Sequence, residues 1–213
     1  MSKRETESSE ERDRNADVFS QAVEALRRGE VIVFPTETFY GLGADALNPA
    51  AVDKIFLLKG RNPDNPIPLI IADRAMLEEV VREFPPAAQR LADRFWPGPL
   101  TLVLPAKARL PAPLLNRDGG VGVRVSSHPL ARRLSRELGR PITATSANLS
   151  GRPPARSIAE ALTYFSEKLT VYLDGGALQG RKGSTVIEVR EGKLRTVREG
   201  EIGAAEIEAC LAG

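Results

Sequence analysis

The chain has 213 residues, enough for one good-sized hydrophobic core, and its 42% hydrophobic and 27% charged content is ordinary for a soluble globular domain. A single cysteine, Cys210, excludes an internal disulfide framework, and with His128 as the one histidine it leaves too few soft ligands for a structural zinc site. No apolar run approaches the roughly 20 residues that cross a bilayer, and the charged start lacks the apolar stretch of a secretory signal, so a cytoplasmic, membrane-free location is expected.

Residues 1–16 mix both charges with Ser and Thr and have almost nothing to bury, which predicts a disordered tail, with one domain over residues 17–213. From Ala16 the spacing of Val18, Ala22, Val23 and Leu26 predicts an amphipathic helix closed by Gly29. Val31 to Phe34 reads as a buried strand, followed by the polar segment Pro35 to Gly43. Asn48 is an N-cap with Pro49 at the first helical position, and that helix ends at Gly60. After the loop Arg61 to Pro66 come a strand (Pro68 to Ile71) and two helical stretches (Arg74 to Glu83, Ala87 to Phe95). Pro97-Gly98-Pro99 precedes a strand at Leu100 to Leu104, and another follows at Val121 to Val125. A helix from Pro129 to Leu138 is capped by Gly139, and Ile142 to Thr145 reads as a strand running into a polar turn. The remainder predicts a helix (Ile158 to Leu169), a strand (Thr170 to Leu173), a Gly-rich loop, a hairpin (Thr185 to Arg198) and a last helix (Ala204 to Leu211). Helices and strands interleaved with short connections predict a single α/β domain.

Two phosphate-binding motifs are imitated but not met. Gly41-Leu42-Gly43-Ala44-Asp45-Ala46 fits G-x-G-x-x-A, yet Pro35 to Tyr40 separate it from the preceding strand and the next helix starts only near Pro49. Gly175 to Lys182 resembles a P-loop with Arg181 and Lys182 in the wrong places. His128 stands before Pro129 at a helix start, where a capping or packing role is expected, and a Ser-His-Asp relay would rest on it alone. Without an activated nucleophile or a metal cage, catalysis must come from positioning and electrostatics.

Charge is unevenly placed. Between Thr101 and Ser157 stand ten Lys or Arg against only Asp118 and Glu137, which fits either a solvated basic face or a polyanionic partner such as ATP or RNA. Four polar clusters are candidates for one anion pocket. Pro35 to Gly43 supplies hydroxyls and close backbone, or is simply a turn. Lys59-Gly60-Arg61 puts two cations at a helix C-terminus, which the helix dipole alone explains. The stiff Pro-flanked loop with Asn65 would also hold a guanidinium in the fixed direction that phosphate contact requires. Arg124, amid the apolar Val-Gly-Val-Arg-Val run, needs a partner, either a ligand anion or a protein carboxylate, with Ser146-Ala147-Asn148 beyond the next strand. Gly183-Ser184-Thr185-Val186 faces Arg198 across the hairpin.

FPTETFYGLG, KIFLLKGR, FWPGPLTLVL, VGVRV, TSANLSG and GSTVIEV, in this order, resemble the YrdC-type threonylcarbamoyl-AMP synthase family, from about Val18 to Arg198. The resemblance implies a twisted, mostly parallel mixed sheet with helices around an open basic cavity. It also implies a nucleotidyltransferase that condenses L-threonine, bicarbonate or CO2, and ATP into threonylcarbamoyl-adenylate and pyrophosphate, with Mg2+ carried in by ATP. The product would serve the t6A modification of tRNA, with tRNA or the transferase complex as a possible partner. By position, Thr38, Arg124, Ala144 and Ser184 match threonine contacts. Lys59, Arg61, Asn65, Ser146, Asn148 and Arg198 match the nucleotide site, with Lys59 and Arg61 as the catalytic cations and no protein-held metal. Ile70 and Gly120 depart from members that carry His and Thr there, against threonine and ATP respectively.

Three other readings compete: a YciO-like paralogue with another substrate, a non-catalytic RNA-binding module, and a part of the hydrogenase-maturation carbamoyltransferases. The first is disfavoured by the combination of Lys59, Arg61, Ser146, Asn148 and Ser184. An RNA module would need stacking aromatics, which are 5% of residues and not clustered in the basic segment. The third would need zinc modules for which there is no room. With its end at Gly213, the short single-domain form of the synthase is expected.

Overall fold

A computed structural model describes residues 17–212; the expected tail over residues 1–16 lies outside the described residues, as does residue 213. Helix α1 (residues 17–27) presents Phe19, Val23 and Leu26 to the core, and Gly29 ends it at φ 71°. Strand β1 (Ile32–Phe34) is wholly buried. The polar segment that follows contains an unexpected strand, β2 (Gly41–Gly43), antiparallel to β1. Its glycines exist for the ring of Phe34: a Cβ at Gly43 would stand 2.8 Å from that ring, and one at Gly41 3.2 Å. The G-x-G pair is thus a strand lying under an aromatic ring, which is why it is no dinucleotide turn.

Helix α2 (Pro49–Lys59) begins as expected, with the Asn48 side chain accepting from Ala51 N, and ends on Gly60 at φ 57°. Strand β3 (Leu69–Ile70) follows. The stretch expected as one helix from Arg74 is a 3-10 turn (Arg74–Met76) running into the four-residue α3 (Leu77–Val80). Next come α4 (Pro86–Phe95), β4 (Leu100–Pro105), β5 (Gly120–Arg124) and α5 (Pro129–Leu138). Helix α5 buries Ala131, Leu134, Ser135 and Leu138, one face at helical spacing, and Gly139 closes it at φ 72°.

The expected strand Ile142 to Thr145 is two: β6 (Ile142–Thr143) pairs with β3, and β7 (Thr145–Ser146) pairs with β2. The chain therefore steps from one sheet to the other at Ala144, whose N–H donates to Pro68 O at 2.8 Å. Helix α6 (Ile158–Phe165) stops short of Leu169, because Lys168 and Leu169 both donate back to Phe165 O and close a turn. Thr170 to Leu173 reduces to an isolated bridge between Tyr172 and Val33; the glycines that follow continue no ladder. The hairpin β8 (Thr185–Arg190) and β9 (Lys193–Arg198) turns through Glu191 and Gly192, both at positive φ, as a two-residue hairpin turn requires. Helix α7 (Ala204–Ala212) follows.

The fold is mixed α/β, but the parallel majority implied by the resemblance is absent. One sheet has the order β1-β2-β7 and the other β6-β3-β5-β4-β8-β9. Only β3-β5 and β4-β8 are parallel, while the other five pairings are antiparallel. Hairpins and short returns, rather than helical crossovers, make most of the neighbours. Among the described residues no helix is long and apolar enough to cross a membrane.

Candidate active site

A cavity of about 290 Å³ takes its lining from both sheets. Seven of the ten expected site residues line it: Thr38, Arg61, Arg124, Ala144, Ser146, Ser184 and Arg198. Lys59, Asn65 and Asn148 do not; they hold the lining in place. Lys59 is 3% exposed. Its Nζ donates to Ser146 O at 2.5 Å, Asn148 O at 2.7 Å and Asn148 Oδ1 at 3.0 Å. Those three acceptors use all three ammonium protons. Burial, and after it the charge of Arg61, pushes Lys59 down to about 7, while the three oxygens favour its charged form.

The loop after α2 does hold the Arg61 guanidinium. Nε donates to Asn65 O at 2.7 Å and Nη2 to Pro66 O at 3.2 Å. The contact of Asn65 with Arg61 is made by its backbone carbonyl. Asn148 is likewise spent inside the protein: Oδ1 accepts from Ser146 Oγ at 2.6 Å, and Nδ2 donates to Arg152 O at 2.5 Å. Arg198 Nη2 donates to Ser184 O at 2.8 Å and Ser184 Oγ at 3.1 Å, and Ser184 Oγ meets Thr101 Oγ1 at 2.8 Å. Burial and then Arg198 lower Arg61, just as burial and then Arg124 lower Arg198. Lys59, Arg61, Arg198 and Arg124 thus form a series of cations, each feeling the next.

At the other wall, Thr36 Oγ1 donates to Phe39 O at 2.6 Å and lies 3.1 Å from Thr38 Oγ1. Thr36 Oγ1 also accepts from Thr38 N at 3.2 Å and Phe39 N at 3.3 Å, so its proton and both lone pairs are used inside this turn, while Thr38 lines the cavity. Arg124 is 5% exposed and has the protein carboxylate that its sequence context called for: Glu37 Oε1 stands 3.2 Å from its Nε. Glu37 stands within the Phe34 to Gly43 motif, and from the sequence no role is expected of it. The signal was there, in a carboxylate just past a buried strand and a buried arginine in need of one.

Several expectations are corrected. Of the ten cations in the basic central segment, only Arg124 lines this cavity. Others meet acids elsewhere, as Arg109 does Glu79, Arg133 Glu137 and Arg140 Asp45. The basic cavity is built instead by distant parts of the chain. Ile70 is fully buried among Phe34, Leu134 and Ile142. A Cβ at Gly120 would press Val103 at 2.9 Å, away from the cavity lining. Neither residue lines this cavity. His128 makes no side-chain cap; its ring is packed beside Gly175, and its Nδ1 is buried without a hydrogen bond. Burial lowers its pKa, opposed by the charge of Glu37.

Fold and cavity define an α/β protein whose pocket sets the guanidiniums of Arg61, Arg124 and Arg198 and the carboxylate of Glu199 beside hydroxyls and backbone. The sequence profile of Sua5/YciO/YrdC, described as telomere recombination, matches residues 24–200. The threonylcarbamoyl-AMP synthase of Pyrococcus abyssi is 43% identical over 186 residues, which are 87% of this chain and 55% of that protein. The chain thus spans about half the length of that relative. The structure of P. abyssi Sua5 complexed with L-threonine superposes with a TM-score of 0.87 at 40% identity, over 92% of this chain and 58% of that one. Escherichia coli YciO superposes at 0.80 with 30% identity, over 90% and 93%. The chain belongs to the Sua5/YciO/YrdC family.

Proposed function

We propose that the protein is a threonylcarbamoyl-AMP synthase acting in t6A biosynthesis, with L-threonine, bicarbonate and ATP as substrates. The observation that carries this is the line of cations. Lys59, Arg61 and Arg198 are held by neutral oxygens, and among the described residues none of the three has a carboxylate in an ion pair. Such a group suits a polyphosphate. Arg124, Thr38, Ala144 and Ser184 suit a small hydroxylated amino acid.

In the reaction, the amine of threonine adds to the carbon of bicarbonate with loss of water, giving a carbamate. A carbamate oxygen then attacks the α-phosphorus of ATP, and the bond to pyrophosphate breaks. The carbamate is itself the nucleophile, so no Ser, Cys or His need be activated. The chain's task is to align two anions and to meet the charge on the departing pyrophosphate. Arg61 and Arg198 do so directly. Lys59 does so by fixing the Ser146–Asn148 turn. Mg2+ would arrive on the ATP phosphates: Glu37 is already engaged with Arg124, and among the described residues no three His, Cys, Asp or Glu stand together to hold a metal.

The test is incubation with ATP, Mg2+, L-threonine and bicarbonate. Threonine-dependent pyrophosphate and an acyl-adenylate are expected. The likeness to YciO supports a second reading, a paralogue with another substrate. Turnover with a different amino acid in place of threonine would favour it, and tight RNA binding without any turnover would favour a binding module. A cytoplasmic location is part of the same proposal.

A further inference from the structure

Glu37 and Arg124 form an ion pair unlike any other among the described residues. Their side chains are 10% and 6% exposed, whereas every other pair has at least one partner more than 40% exposed. Surface pairs of that kind contribute little, while a desolvated pair interacts at low dielectric. The pair is also unfinished. Glu37 Oε1 and Arg124 Nε approach to 3.2 Å, yet both are buried atoms without a hydrogen bond. Their attraction is one of charge rather than of aligned donor and acceptor.

Glu37 is pinned from behind. Its other oxygen, Oε2, accepts a short hydrogen bond from Ser126 Oγ, and Ser126 is fully buried and in turn accepts from His128 N at 3.2 Å. Glu37 does not line the cavity, but Arg124 does. The two Nη nitrogens of Arg124 make no hydrogen bond among the described residues and are not among its buried unsatisfied atoms. The carboxylate therefore engages the Nε edge and leaves the Nη pair turned to the cavity. An arginine free of such a brace would lose rotamer freedom on meeting a ligand.

We propose that Glu37 is a positioning residue for Arg124: by its charge it holds the guanidinium so that Nη1 and Nη2 meet a substrate carboxylate together. It also cancels the charge of Arg124, so that end of the cavity suits an amino acid better than a second phosphate. The proposal rests on the synthase reading for the identity of that carboxylate. It predicts that the isosteric but neutral glutamine fails where glutamate works.

The experiment compares wild type, Glu37→Gln and Glu37→Asp with two substrates, L-threonine and L-threoninamide, which lacks the carboxylate. Glu37→Gln should raise KM for threonine by about tenfold or more with kcat within about threefold, as expected for a lost bidentate charged contact. Its effect on threoninamide should be under about threefold, and Glu37→Asp should recover part of the loss. An equal fall for both substrates, or glutamine performing as well as glutamate, overturns the proposal. A readout independent of turnover is the ¹H–¹⁵N signal of Arg124 Nε, assigned by its disappearance in Arg124→Lys. It should be slow to exchange in wild type and fast in Glu37→Gln; equal exchange in both also overturns the proposal. If wild type releases no threonine-dependent pyrophosphate, the synthase reading fails, and the exchange rates alone decide the role of Glu37.

Discussion

The two ends of the cavity hold their cations differently. Lys59, Arg61 and Arg198 donate to carbonyl, amide and hydroxyl oxygens, which fix direction without removing charge. Arg124 faces a carboxylate, which removes most of its net charge. Two guanidiniums without an ion-pair partner among the described residues, with the Glu199 carboxylate also in the lining, mark one end, and one paired guanidinium marks the other. On the proposed reading these ends suit a polyphosphate and an amino acid respectively. A buried cation without a counter-ion costs stability. Of Lys59, Arg61 and Arg198, only Lys59 is buried, while Arg61 is half-buried and Arg198 is exposed, so that cost falls on Lys59.

The largest expected effect lies at the uncompensated end. In Arg61→Ala the loop carbonyls of Asn65 and Pro66 lose a donor at a partly exposed place, so the melting temperature should change little. Threonine-dependent pyrophosphate release should fall by about a hundredfold or more, the scale of removing one transition-state donor. Near-normal turnover would break the assignment of this end to phosphate.

Part of this contrast is legible in the sequence. Asn48-Pro49 and Gly60 bound α2, and Gly139 bounds α5, because caps are local chemistry. The demand of Arg124 for a partner is legible too, since charge amid valines must be met. What cannot be read is which of two candidates meets it, because Glu37 is brought there by the return of β2 between β1 and β7. That return was itself hidden: Gly-Leu-Gly has poor strand propensity and is a strand only because Phe34 needs the room. Likewise the acceptors around the Lys59 ammonium come from residues 87 and 89 positions away, which no local pattern announces.

Lys59 offers a smaller and sharper test. Lys59→Met leaves the carbonyls of Ser146 and Asn148 without their donor, a loss of about 2–3 kcal/mol in stability at neutral pH. The sign of its pH dependence follows from burial. With Lys59 lowered from 10.5 to about 7, the unfolded chain binds more protons than the folded one between those values. Wild-type stability relative to Lys59→Met should then rise as pH goes from 7 towards 10, by less than the full shift implies, because three oxygens favour the ammonium. Denaturant titrations of both proteins across this range measure it. A flat difference would mean that the acceptors, rather than burial, govern this lysine.

The smallest effect bears on the comparison most directly, since it needs no mutation. Salt shortens the reach of charge, from about 10 Å at 0.1 M to about 3 Å at 1 M. On the proposed reading, ATP meets the Arg61 and Arg198 end through net charge, so KM for ATP should rise roughly threefold to fivefold between 0.05 and 0.5 M salt. At the Arg124 end the guanidinium is already paired with Glu37, and a zwitterionic amino acid brings no net charge. The KM for threonine at saturating ATP should move by less than about twofold over the same range. Equal salt sensitivity at both ends would mean that Glu37 does not neutralise Arg124. In Glu37→Gln, where the arginine is unpaired, the threonine KM should acquire the salt dependence that the wild type lacks.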